Sequence, residues 1–290
     1  METMIEKDIN LFEELFVKKE QEKEISNKTV LENILENEYS NFLVLILKPN
    51  YKFDYSQLDM FGKKGMEYIL DALENFETKI VDYDQSEDVL KVIKRNLNQK
   101  KYVLTLFSDT PLVRKQTILQ IIDYFLLKKL CALTFNRGYV FDCEYLKSVE
   151  KIYNPQNQIF DEEDFVKIDS SATFGLALDI LRQRIVSYHQ KAGVIFYNPK
   201  TATIDAEANI EQGVVIKNNV QILGKCIVRE NVVLDDATLK NSIVEKNCIV
   251  ENSILENSVI FENSKITDYC VIKNVDIEMN SNLSNEKIMK

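Results

Sequence analysis

The sequence predicts an α/β domain followed by a short left-handed parallel β-helix, and three observations predict it. Two continuous apolar runs, residues 42–47 (FLVLIL) and 102–107 (YVLTLF), alternate with stretches of helical periodicity. From Ile204 to Leu234 branched apolar residues recur every six positions, and from there to Ile277 apolar residues recur every five or six. A helical stretch at 172–189 passes through Gly193-Val-Ile-Phe-Tyr-Asn-Pro199 straight into that repeat, which sets a boundary near 195 without a flexible linker.

Taken in order, residues 1–40 are acidic, with eleven carboxylates against five lysines, and Ile5, Ile9, Phe12 and Phe16 fall at helical spacing. Ser26 and Thr29-x-x-Glu32 offer N-cap chemistry for a second helix. This extension either packs on the domain behind it or docks a protein partner. Residues 42–47 read as a strand buried on both faces. A helix at 62–75, a short strand at 79–81, a helix at 87–97, the strand at 102–107 and a helix at 114–128 continue an alternation that implies a mostly parallel sheet. The expected limits are 1–40 for the extension, 41–195 for the α/β domain, 196–283 for the β-helix and 284–290 for a tail.

The repeat places Ile204, Ile210, Ile216, Ile222, Val228, Leu234, Leu239, Val244, Val250, Leu255, Phe261, Ile266, Ile272 and Ile277 inward. A small or β-branched residue follows four positions later in many units, as at Ala208, Val214, Val220, Cys226, Val232, Thr238, Cys248 and Val259. A period of six matches neither a helix nor a simple pleat. It fits a chain that turns a corner at each unit, giving about four to five triangular coils where about three repeats suffice for stability.

The composition narrows the function. The formal net charge of −10 lacks the basic footprint that nucleic acid requires and opposes an anionic membrane surface. No apolar run is long enough to span a bilayer, and the acidic N-terminus lacks the order of a signal peptide, so a cytoplasmic location is expected. Five cysteines without a CxxC pair argue against a disulfide framework or a zinc site. Cys226, Cys248 and Cys270 read as small core residues on three faces of the β-helix. His189, the only histidine, reads as a helix residue rather than a catalyst.

The junction carries a resemblance. Residues 181–205, LRQRIVSYHQKAGVIFYNPKTATID, resemble the joint of the N-acetylglucosamine-1-phosphate uridyltransferase/glucosamine-1-phosphate acetyltransferase (GlmU) family: an arginine-rich helix, a histidine, then G-V-x-(I/F)-x-(D/N)-P and I-D before the first hexad. Ser108-Asp109-Thr110-Pro111-Leu112 resembles the family's G-D-x-P-L metal motif. Residues 62–73, GKKGMEYILDAL, resemble its G-K-P-M-x-E-x-V-L-D-A-L helix, and residues 136–142, NRGYVFD, its N-T-G-x-Y-x-F-D strand. The resemblance implies a reduced, Rossmann-like nucleotidyltransferase domain and a β-helix that associates as a homotrimer. It also implies a nucleotide or nucleotide-sugar site with Asn136 in its strand and Gln85 as the survivor of a uracil-side motif.

The departures bear on function. The family's glycine-rich loop after the first strand cradles phosphates with backbone N–H groups, which requires glycine for close approach. Here that segment reads Leu45-Ile-Leu-Lys-Pro-Asn-Tyr-Lys-Phe-Asp-Tyr-Ser56 and contains no glycine. Lys48 and Lys52 are its phosphate-binding candidates, or ordinary solvated lysines. The family's sugar-gripping segment should precede Asn136, where 130–135 (LCALTF) joins directly. Its acetyl-transfer residues belong to later coils. Asp109 matches the metal-binding aspartate, and Asp169 falls at a second metal contact, so the resemblance implies Mg²⁺ between them. Read without the family, Asp109 caps a helix or orders the Pro111 turn, and Asp169 is a solvated acid at a helix start. Two functions follow. One is a non-catalytic binding, regulatory or scaffold relative in cell-wall sugar-nucleotide metabolism. The other is a Mg²⁺-dependent enzyme joining a sugar 1-phosphate to a nucleotide through a rebuilt site.

Overall fold

The computed structural model describes residues 38–290. The helical extension read for 1–40 lies almost wholly outside the described residues. Contacts divide the chain into two compact units, each built from separated segments. The first joins the described part of Met1–Lys48 with Leu73–Phe107 and Ile118–Phe160; the second joins Pro49–Ala72, Ser108–Thr117 and Asp161–Lys290.

The first unit is a six-stranded sheet. Its strands are β1 (Phe42–Pro49), β4 (Glu77–Tyr83), β5 (Tyr102–Phe107), β6 (Ala132–Phe135), β7 (Gly138–Asp142) and β8 (Gln156–Gln158), β2 and β3 being a small hairpin (Asp59–Met60 and Lys63–Lys64) of the second unit. The order is β4-β1-β5-β7-β6-β8. The run 42–47 is buried throughout and lies parallel to β5, Phe42 opposite Tyr102 and Leu47 opposite Phe107. Phe125 closes an aromatic cluster over Phe42 and Tyr102, and Leu43, Leu45, Ile93, Val103, Phe141 and Leu146 fill a core of the sheet.

The α/β expectation holds with one departure from a parallel sheet: β7 runs antiparallel to both β5 and β6. The cause is local. Only Asn136 and Arg137 separate β6 from β7, and so short a connection returns the chain antiparallel. Gly138 follows because a Cβ there would sit 2.2 Å from the Phe135 ring and 2.5 Å from the Thr105 carbonyl oxygen.

In the second unit the helix Ser171–Lys191 begins in a capping box, with the Ser170 hydroxyl accepting from the Thr173 N–H; such a cap contributes about 1 kcal/mol. It ends where Gly193, at φ +93°, turns the chain into strand Ile195–Phe196 and the first coil. From there the strands stack in parallel on three faces of six, four and six strands. The inward residues from Ile204 to Leu255 are the predicted ones and are essentially buried.

Three corrections apply in the later coils. Ile260, not Phe261, is inward: Ile260 is fully buried and Phe261 is 41% exposed. Likewise Ala237 and Ser258 take the small inward positions assigned to Thr238 and Val259. The reason is a change of step. Early coils place Thr203 opposite Gln221, eighteen residues on, whereas Ile227 faces Ile243 after sixteen. Residues Lys287–Met289, expected as tail, pair with Val271–Lys273 as a further strand.

The shortened units carry an Asn-Ser pair at their corners. Asn241, Asn252, Asn257, Asn263 and Asn280 all have positive φ, where asparagine is tolerated best after glycine. The serine that follows each of the first four turns inward and is doubly bonded. Ser242 Oγ donates to the Lys240 carbonyl (2.8 Å) and accepts from Ser258 N (3.2 Å). Ser258 Oγ repeats this with Glu256 and Val275. Cys226 and Cys270 do the same through sulfur, and all three β-helix cysteines are buried. Buried N–H groups at the tighter corners thus find partners.

Candidate functional site

Within the second unit, the loop after β1 crosses the segment that carries Asp109. Pro49 and the cap made by Asp54, whose carboxylate accepts from Ser56 N (3.0 Å) and Ser56 Oγ (2.6 Å), order this loop without glycine. Phe53 packs edge-on against Tyr55, and Tyr55 lies beside Phe174. Tyr51 donates its hydroxyl to Asp109 Oδ2 at 2.5 Å. Asp109 is 2% exposed.

The segment bearing Asp169 is tied to the same place. Ile168 N donates to the Asp109 carbonyl oxygen at 2.7 Å. Lys167 Nζ lies 5.6 Å from the centre of the Tyr51 ring and pairs with Asp169 Oδ2 at 2.8 Å. Lys167 holds the Asp169 carboxyl below its ordinary value, chiefly through that hydrogen bond. The side chains therefore alternate as acid, hydroxyl, ammonium, acid: Asp109, Tyr51, Lys167, Asp169.

A buried carboxylate anchors this segment. Asp164, wholly inaccessible, accepts from Arg114 Nε (2.8 Å), Arg184 Nη2 (2.6 Å) and the Thr117 hydroxyl. Arg184 also donates to the Leu112 carbonyl at 2.6 Å, so the arginine-rich helix clamps both the 108–117 segment and the 161–169 loop. Sequence reasoning missed Asp164, Tyr51 and Lys167. The signal available for Asp164 was a helix with two arginines needing a carboxylate elsewhere in the chain.

The other predicted residues stand apart from this cluster in what they contact. In the first unit, Asn136 sits at the β6–β7 turn beside a cavity of about 300 Å³ lined also by Phe107, Arg137, Tyr139 and Asn157. Its amide is engaged with Phe160, accepting from the backbone N–H at 2.8 Å and donating to the carbonyl at 3.3 Å. Arg137 lies 4.4 Å over the Phe107 ring at that cavity. Gln85 is in the exposed turn after β4. Lys48 is the penultimate residue of β1 and Lys52 is exposed on the following loop. Neither ammonium pairs with an acid among the described residues.

Magnesium takes oxygen ligands and retains water around them. Here each carboxylate of the implied pair already faces a donor of the chain. Among the described residues no group of three or more His, Cys, Asp or Glu side chains is placed to hold a metal ion. The residues as arranged do not fit a resident Mg²⁺.

The chain thus combines a sheet-based α/β unit with a second unit in which a capped helix leads into the stacked parallel strands of a β-helix. No family model matches it. Bifunctional protein GlmU from Campylobacter lari is 31% identical over 107 residues, 37% of this chain and 25% of that protein. Bifunctional protein GlmU from Alkaliphilus metalliredigens is 24% identical over 188 residues, 63% of this chain and 32% of that protein. The chain is thus a distant GlmU-like relative, and it spans about a fifth to a third of the length of the curated relatives it matches. Among solved structures, Rv0371c from Mycobacterium tuberculosis, known also as a complex with manganese, aligns over 48% of this chain and 98% of its own at 10% identity and a TM-score of 0.37. A likeness at that score carries no argument about metal or activity in this chain.

Proposed function

We propose that this chain is a non-catalytic relative of the sugar-nucleotide uridyltransferases, a binding, regulatory or scaffold protein that retains the fold without the chemistry. The observation that carries the reading is the pairing of both implied metal acids with groups of the chain: Asp109 with the Tyr51 hydroxyl, Asp169 with the Lys167 ammonium. The glycine-free loop supports it, because close backbone approach to phosphates needs glycine. Calorimetric titration with UTP and with UDP-N-acetylglucosamine, with and without Mg²⁺, tests it. No heat up to millimolar ligand is expected; metal-dependent heat that disappears in Asp109→Ala would overturn it.

One observation favours the alternative, an active Mg²⁺-dependent nucleotidyltransferase. The bond from Ile168 N to the Asp109 carbonyl keeps the two acid-bearing segments together. That enzyme would need Tyr51 and Lys167 to withdraw when substrate binds.

The stacked parallel strands are compatible with oligomers, and a homotrimer through the β-helix is the assembly we propose. Two outward aliphatic columns support it. Ile195, Val215, Val233 and Ile249 stand in register on one face, and Ile227, Ile243 and Val259 on another. No described helix is long and apolar enough to cross a membrane. A docking role for the N-terminal helices concerns residues outside those described.

A further inference from the structure

The alternation Asp109, Tyr51, Lys167, Asp169 has a chemical meaning of its own. Two carboxylates held in neighbouring segments repel unless positive charge or donated protons lie between them. In a metal site a divalent cation supplies that charge. Here the chain offers one charge and one hydrogen-bond donor instead: a phenolic proton reaches Asp109 Oδ2 at 2.5 Å, and an ammonium reaches Asp169 Oδ2 at 2.8 Å while lying against the same tyrosine ring. Tyr51 comes from the loop that lacks glycine, so the residue that fills the gap belongs to the segment that lost the phosphate cradle.

We propose that Tyr51 and Lys167 stand in the place of a divalent cation, a neutral hydrogen-bond donor on Asp109 and a single positive charge on Asp169, and exclude metal from the two acids. The inference rests on the non-catalytic reading and sharpens it. The acids persist because they are structural partners of Tyr51 and Lys167, not because they hold metal. A divalent ion reaching the pair must displace a hydrogen-bonded hydroxyl from a buried acid and approach a fixed ammonium, both unfavourable. Removing the two donors reverses the balance by taking these contacts from two carboxylates, the hard oxygen-donor type that Mg²⁺ and Mn²⁺ select.

The test is a gain of binding. Mn²⁺ alone is titrated into the full chain and free Mn²⁺ is followed by its paramagnetic resonance signal. The proteins are wild type, Tyr51→Phe, Tyr51→Phe/Lys167→Met, and that double variant with Asp109→Asn added. Wild type is expected to take up no Mn²⁺ in an Asp109-dependent way. The double variant is expected to bind at least tenfold more tightly than wild type, Tyr51→Phe to shift in the same direction by less, and the added Asp109→Asn to abolish the gain. Tyr51→Phe is isosteric and retains the ring under Lys167, so it carries the test if circular dichroism shows the double variant unfolded.

Either of two results overturns the substitution: folded variants that bind Mn²⁺ no better than wild type, or wild type that already binds it through Asp109. The first result leaves the non-catalytic reading standing, since that reading falls to Mg²⁺-dependent nucleotide binding in the calorimetric titration; the second also removes the pairing that carries it.

Discussion

The β-helix and the Asp109 cluster are held together by opposite kinds of information. In the β-helix each coil repeats the last: an inward aliphatic residue, a left-handed asparagine at the corner, a small residue packed or hydrogen-bonded inside. A lost contact has equivalents above and below. Around Asp109 nothing repeats. Tyr51, Asp109 and the segment carrying Asp164 and Lys167 lie far apart in the chain, and no sequence period relates their contacts. The first region tolerates drift in sequence while its period survives. The second is specified by single residues, and its chemistry can change without loss of the fold.

This contrast can be broken most severely at Asp164. Asp164→Ala removes the buried carboxylate shared by Arg114 and Arg184, leaving them only Asp161 and Glu163 nearer the surface, and removal of one partner from a buried ion pair typically costs about 3–5 kcal/mol. Urea denaturation should show a loss at the lower end of that range, since Arg114 stays partly in solvent; a loss within experimental error would mean that the clamp contributes little. A single cavity in the β-helix comes next. Leu239→Ala should cost about 2–5 kcal/mol by the same measurement, the usual span for a buried leucine.

Smaller effects sharpen the account of the corners. Ser258→Ala deprives Val275 N of its acceptor in the interior, and a buried unpaired donor costs about 1–3 kcal/mol. Asn263→Val forces a β-branched residue into left-handed backbone at about 1–2 kcal/mol, whereas Asn263→Gly should be near neutral. Equal destabilisation by both substitutions would mean that the asparagine side chain, not its backbone freedom, holds the corner.

The smallest effect is one of pH. Burial lowers the His189 pKa, so the folded state prefers the neutral ring. The unfolded chain takes up the proton first, near its ordinary pKa of about 6.5. Stability is therefore unaffected above that pH and declines as pH falls below it. His189→Gln should flatten the decline in a series of melts; an unchanged slope would assign it to other groups.

The sequence legibility of the two regions follows the same division. The inward residues from Ile204 to Leu255 were readable because periodicity needs no partner information. The reading slipped at Phe261, where a five-residue unit moved the inward position to Ile260. The serines escaped notice because they replace an aliphatic position with a hydroxyl whose partner lies one coil away. Strands β1 and β5 were readable as apolar runs, but the antiparallel course of β7 depends on the two-residue turn at Asn136 and Arg137. At the site, Asp109 and Asp169 were found by resemblance. Their partners Tyr51 and Lys167 were not, since no local pattern marks a tyrosine in one loop for a carboxylate 58 residues on.

The central claim is the absence of nucleotidyl transfer, and pyrophosphate release tests it most directly. Purified protein would be incubated with UTP, Mg²⁺ and a panel of sugar 1-phosphates, with Asp109→Ala run beside it. The account predicts no release above the protein-free blank for either protein. Release by wild type that Asp109→Ala abolishes would contradict it.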